Sequence, residues 1–163
     1  MRLYFLRHGD AELGGPVSDH HRNLTSDGIQ EIECATNAIL SLKLSFTSLL
    51  SSPLDRARQT AAIVVQKIPA VRLQVFEQLT PTSDPQNLFR ELHTFPRDSR
   101  ILLVSHEPFI SQCIASLIGG GGQSRISIKK ASLTCVEVGS PVQRGAGILL
   151  WLLTNEQMRL IGK

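Results

Sequence analysis

Short runs of consecutive apolar residues alternate along the chain with stretches where apolar residues return every three or four positions. The first pattern suits buried strands and the second suits helices with one covered face. Residues 3–6 (Leu-Tyr-Phe-Leu) open as a short buried strand, and a polar loop with Gly and Pro follows to about Asn23. Residues 25–42 read as a helix, with Ile29, Ile32, Ala35, Ala38, Ile39 and Leu42 near one face. Residues 47–51 form a second strand. The next helix carries Ala57, Thr60, Ala61, Val64, Val65 and Ile68 at helical spacing and is followed by Pro69. Residues 71–76 are a third strand, and residues 84–93 a short helix capped by Ser83 or Asp84.

Residues 101–104 (Ile-Leu-Leu-Val) are apolar throughout, as expected of a strand covered on both faces. Residues 109–118 are helical and stop at the glycines Gly119 to Gly122. Residues 133–138 and 148–153 are two late strands joined by a Gly- and Pro-containing turn, with Trp151 expected in the core. This alternation predicts an α/β fold with a mainly parallel central sheet flanked by helices. Such sheets bind ligands beyond the carboxyl ends of their strands. The length of 163 residues fits a single domain spanning 1–163.

Composition narrows the function classes. A formal charge of +3 is too small to point to nucleic acid or a membrane surface. The longest apolar run, residues 148–153, is far short of the roughly 20 residues that span a bilayer. The amino-terminal apolar stretch is too short for a signal peptide. Cys34, Cys113 and Cys135 are odd in number and lack a C-x-x-C spacing, which suits reduced thiols in a cytoplasmic protein. Twelve of the seventeen basic residues are Arg, the side chain that grips phosphate or carboxylate with two parallel hydrogen bonds.

Four polar segments fall where such a fold binds ligands. Arg7-His8-Gly9-Asp10 follows the first strand, and the segment from Ser51 to Thr60 follows the second. Ser105-His106-Glu107-Pro108 follows the strand at 101–104, and Arg22-Asn23-Leu24-Thr25 precedes the first long helix. Together they bring two imidazoles and several guanidiniums to one sheet edge. A phosphoryl group carries its charge on three peripheral oxygens, so moving it is mostly a matter of positioning and charge stabilisation. Guanidiniums can do this without a metal ion, and a neutral imidazole is a good nucleophile toward phosphorus. Neighbouring cations disfavour imidazolium and keep it neutral.

With R-H-G-D at 7–10, R-x-L-T-x-x-G at 22–28, S-P-x-x-R-x-x-Q-T at 52–60, Leu79-Thr80-Pro81 and S-H-x-P at 105–108, the chain resembles the histidine phosphatase superfamily nearly end to end. Within that superfamily it is most similar to the small SixA-type phosphohistidine phosphatases. The resemblance implies the phosphoglycerate mutase-like fold, a three-layer sandwich. It implies His8 as the phosphoryl acceptor, Arg7, Arg56 and His106 as the clamp on the phosphoryl oxygens, and Arg22 as a further arginine of the substrate pocket. Gly9 would let the backbone pass close to the phosphate. No cofactor or metal is implied, and the expected partner is a phosphohistidine-bearing signalling or phosphotransfer protein.

The sequence departs from the resemblance at the general acid. The pattern E-L-T-P has Gln78 in place of its Glu here. Glu77 is one residue away and, on a strand, would face the other side. Asp10 is a second candidate. A phosphohistidine substrate needs less acid help, because imidazole leaves more readily than an alkoxide. The alternatives are a phosphatase for a small phosphate ester or phosphorylated metabolite, and a non-catalytic phosphate-binding module.

Other features take simpler readings. Arg58 falls outside the pattern and reads as a surface residue. His20-His21 lacks a partner at a recognised metal-ligand spacing and reads as a solvated pair. Lys129-Lys130 reads as solvated too, with Arg125 adding the option of docking an acidic protein. The glycine run lacks the ending of a P-loop. The chain also lacks an H-C-x5-R motif, so a cysteine-based phosphatase is not supported.

Overall fold

In a computed structural model, which describes residues 1–14, 19–68, 71–119 and 125–163, six strands form one sheet in the order β3-β2-β4-β1-β5-β6. The strands are β1 (Arg2–Arg7), β2 (Ser48–Ser51), β3 (Leu73–Val75), β4 (Arg100–Ser105), β5 (Leu133–Val138) and β6 (Gly147–Leu153). The helices are α1 (Ser26–Ser41), α2 (Asp55–Lys67), α3 (Pro85–Leu92), α4 (Phe109–Gly119) and α5 (Asn155–Ile161). Gly120 to Gly122, Pro69 and positions 15–18 of the first loop lie outside the described residues.

The expected three layers are present. The four strands β3, β2, β4 and β1 run parallel, β5 runs antiparallel to β1, and β6 pairs antiparallel with β5, so the sheet is mixed but mostly parallel. Alternate side chains of β1 and β4 feed opposite faces. Leu3, Phe5, Ile101 and Leu103 pack with α3 and α4, while Tyr4, Leu6, Leu102 and Val104 pack with α1, α2 and α5. All eight are 3% exposed or less, which is why both segments read as unbroken apolar runs.

Several elements differ from expectation. Thr25 is the N-cap of α1 rather than its first residue, its hydroxyl accepting from Gly28 N. Ile29 and Leu42, expected on the covered face of α1, are exposed, because the buried stripe is narrower and is made by Ile32, Ala35, Ala38 and Ile39. Trp151 is half-buried against Tyr4 rather than in the core, since β6 is an edge strand whose Ile148, Leu149 and Leu150 are also exposed. The third strand is only Leu73–Val75, and Glu77–Leu79 form a 3₁₀ turn. The argument that Glu77 and Gln78 alternate across a strand therefore fails. A second 3₁₀ turn, Asp19–His21, and helix α5 are additional. The capping box of α5, in which Thr154 and Gln157 bond each other's backbone, was its readable signal.

Among the described residues no helix is long and apolar enough to cross a membrane. The three cysteines are free thiols, Cys113 and Cys135 buried and Cys34 half-buried.

One contact sets how closely the loop after β1 approaches α1. A Cβ added to Gly28 would lie 2.0 Å from the Asp10 carbonyl oxygen, and one added to Gly9 would lie 2.5 Å from the Gly28 oxygen. In an open helix position, Gly to Ala gains about 1 kcal/mol. Here two segments of backbone would have to separate, at a cost of about 3 kcal/mol, so the clash wins. Gly28→Ala is thus expected to lower the unfolding free energy by about 2 kcal/mol, read as a lower urea midpoint. An unchanged or raised midpoint would refute this packing role.

Candidate active site

The parallel strands β1, β2 and β4 end on the same edge and deliver His8, Ser52 and His106 there. The backbone of His8 is held on both sides, its N–H donating to Ser105 O at 3.1 Å and its carbonyl accepting from Ala131 N at 3.2 Å. The ring Nδ1 lies 2.7 Å from its neighbour's carbonyl, Gly9 O. A carbonyl only accepts, so Nδ1 carries the proton and Nε2 keeps its lone pair. That is the tautomer a nucleophile requires.

His106 faces His8, with ring centroids 4.9 Å apart. Its Nε2 is 2.8 Å from Ser52 Oγ, and its Nδ1 is buried without a partner. Arg7 donates from Nη1 to Ile128 O at 2.6 Å, and its Nε is likewise buried and unpaired. Buried polar groups are normally satisfied. Two orphaned nitrogens at one sheet edge mark a place for an acceptor-rich ligand. Arg7 also borders two clefts, of about 680 and 440 Å³, the first lined in part by Glu107, Ser111 and Arg125 and the second by Lys129, Lys130 and Glu31.

Burial pushes the His8 pKa down to about 3, with Arg56, Arg7 and Lys130 adding to the effect against the Gly9 hydrogen bond. His106 is pushed down to about 2, again first by burial and then by His8 and Arg56. Both imidazoles are therefore neutral near pH 7. The expected influence of nearby cations is present but ranks below desolvation.

The remaining motif residues hold the loops to one another. Arg56 is 4% exposed, and its guanidinium donates from Nη1 to Asp19 O at 2.6 Å and from Nη2 to Asp19 Oδ2 at 3.0 Å. Arg22 donates from Nη1 to Asp19 Oδ1 at 2.8 Å and from Nε to Glu12 O at 2.5 Å. Thr60 Oγ donates to Arg56 O and accepts weakly from Gly9 N, at 3.4 Å. Gln59 accepts from Leu24 N and donates to Asn23 Oδ1, tying α2 to the Arg22–Thr25 segment. Gly9 thus has a packing reason of its own against α1, besides the suggested approach to phosphate.

The acid candidates separate. Asp10 accepts from Thr25 Oγ1 at 2.8 Å and from Lys130, and these bonds hold its carboxyl below the usual carboxylate range. That is the reverse of what a proton donor needs. Glu77 is exposed on the 3₁₀ turn after β3.

Arg58 is exposed, as expected. His20 and His21 do have a third residue beside them, which spacing could not reveal: His21 Nδ1 lies 3.0 Å from Asp55 Oδ2. Asp19, Ser52 and Lys130 received no role from the sequence. Asp19 was hidden because its i, i+3 spacing to Arg22 resembles any solvated ion pair.

The description of the histidine phosphatase superfamily (branch 1) matches residues 3–81. Phosphohistidine phosphatase SixA of Escherichia coli (strain K12) is 31% identical over 124 residues, covering 74% of this chain and 76% of that protein. The solved structure of the protein histidine phosphatase SixA complexed with tungstate superposes with a TM-score of 0.82 at 25% identity, covering 95% of this chain and 97% of that one. A phosphoserine phosphatase mutant from Entamoeba histolytica, in complex with phosphoserine, shares the fold with a TM-score of 0.74 at 17% identity, covering 96% and 98%. The chain belongs to the histidine phosphatase superfamily. Within it, the chain is of the SixA type.

The low imidazole pKa values make a signed prediction. Histidines of the unfolded chain take up protons near pH 6.5, whereas folded His8 and His106 do so only near 3 and 2. Below about 6.5 the unfolded state binds more protons, so their stabilising contribution is complete above that pH and is lost as pH falls toward 3. The melting temperature is expected to fall from about pH 7 to 5, with a shallower slope in His8→Asn. An NMR titration showing His8 protonated with a midpoint near 6.5 would contradict the structure.

Proposed function

We propose that the protein is a phosphohistidine phosphatase acting on a signalling or phosphotransfer protein, without a metal ion. The observation that carries the reading is His8 itself: buried, neutral, with Nδ1 protonated toward Gly9 O and Nε2 free to attack. Its ring centroid lies 4.9 Å from that of His106, whose Nδ1 is buried and unpaired, as is Nε of the preceding Arg7.

Nε2 of His8 attacks phosphorus in line. The new P–N bond forms on His8 as the substrate's P–N bond breaks, and the departing imidazole takes up a proton from solvent. Arg7, Arg22, Arg56 and His106 hold the three peripheral oxygens as charge redistributes. With Ser52 Oγ as the donor to His106 Nε2, Nδ1 carries the proton and donates to the phosphoryl group. Water then attacks the phosphorus of phospho-His8, releasing orthophosphate and restoring neutral His8.

The choice of phosphohistidine rests on the likeness to SixA and on the acid. Gln78 replaces the Glu of the E-L-T-P pattern, and Asp10 is held ionised. An imidazole leaving group tolerates this better than an alkoxide does. The alternative, a small phosphate ester, needs a carboxyl acid, for which Glu77, exposed on the turn after β3, is the candidate.

The test is release of phosphate from a phosphohistidine-bearing carrier protein in EDTA, beside a panel of small phosphate esters. Wild type is expected to prefer the protein, and His8→Ala to lose about a thousandfold or more. Arg56→Ala is expected to lose about a hundredfold. Preferential turnover of an ester, abolished by Glu77→Gln, would establish the alternative. Phosphate binding without turnover of either substrate would point to a binding module.

A further inference from the structure

The two arginines implied as phosphate ligands from α2 and from the loop before α1 are already joined through one carboxylate. Asp19 gives Oδ2 to Arg56 and Oδ1 to Arg22, and its carbonyl takes the second Arg56 nitrogen. One oxygen on each of two guanidiniums is also how two oxygens of a phosphoryl group would be held. The carboxyl is kept ionised by these bonds, chiefly by Arg22.

The two sides of the ion pair differ in burial. The Arg56 side chain is 5% exposed and that of Asp19 is 61% exposed. A buried guanidinium without a partner is strongly disfavoured, whereas a carboxylate turning from Arg56 into water loses little packing. Arg56 therefore requires an anion, and Asp19 is the anion free to leave.

We infer that Asp19 is a resident anion of the arginine clamp, displaced by the substrate's phosphoryl group and returning to Arg22 and Arg56 as orthophosphate departs. The inference rests on the reading of these arginines as phosphoryl ligands. A phosphoryl dianion carries more charge than the carboxylate and wins the exchange. Asp19 lowers the affinity for substrate and product alike, and so favours product release. It is a release device rather than a catalytic residue.

The experiment is calorimetric titration of orthophosphate into wild type, Asp19→Asn, Asp19→Ala and Asp19→Glu at neutral pH, with melting curves to show that each is folded. Removing one half-exposed charge should tighten phosphate binding about fivefold or more in the Asn and Ala variants. The Glu variant, which keeps the charge, should stay closer to wild type. Where turnover is measurable, the inhibition constant of orthophosphate should fall by the same factor. Unchanged or weaker binding in both Asn and Ala would overturn the inference and make Asp19 a positioning residue for the guanidiniums.

Binding needs no turnover, so the two readings fail separately. A protein that hydrolyses nothing, yet binds phosphate more tightly without Asp19, would retain this inference while refuting the phosphatase reading. An active phosphatase whose Asn and Ala variants bind phosphate no better would do the opposite.

Discussion

Two buried imidazoles, tilted against each other with centroids 4.9 Å apart, can coexist with nearby guanidiniums in a folded chain only if both stay uncharged. Protonating either would place a third kind of cation among Arg7, Arg56 and Lys130 with almost no water to screen it. The surrounding structure serves that constraint. Carbonyl and hydroxyl oxygens fix the rings by hydrogen bonds to Gly9 O and Ser52 Oγ, where a carboxylate would stabilise the charged form. Carboxylates are spent elsewhere, Asp10 on Lys130 and Asp19 on Arg22 and Arg56. The arrangement places negative charge on the cations rather than on the rings, leaving His8 uncharged in a positive field.

The letters of the motifs divide between chemistry and scaffolding. In S-P-x-x-R-x-x-Q-T, Arg56 is buried and bonded to Asp19, while Gln59 and Thr60 tie α2 to the Arg22–Thr25 segment and to Gly9. In R-x-L-T-x-x-G, Thr25 caps α1 and donates to Asp10, and Gly28 is small because the Asp10 backbone lies against it. Residues that never touch substrate thus account for much of the pattern.

What could be read from the chain follows the range of the interactions. Strands covered on both faces, such as β1 and β4, announce themselves as unbroken apolar runs. Their ends place His8 and His106 at the ligand edge without any knowledge of packing. Narrower features were not legible. Ile29 and Leu42 match a helical stripe, but how wide a stripe α1 buries depends on the neighbouring α2 and α5. Trp151 looks like core because apolar runs do not reveal that their strand lies at an edge. The alternation argument for Glu77 presumed a strand where the chain makes a 3₁₀ turn. The pairings of Asp19 with Arg56 and of His21 with Asp55 span more than thirty residues, and ion pairs across such distances leave no periodicity to detect.

The position of β1 in the sheet has a consequence in time. The strand that leads into His8 sits between β4 and β5, whose partners in its register begin at Arg100 and Leu133. On the ribosome its backbone donors and acceptors go without these neighbours while most of the chain is still being made. Closing such long loops is slow, and an unpaired apolar strand is a hazard meanwhile. The active site therefore cannot exist in any half-made protein: it is complete only once the two strands that flank β1 have arrived.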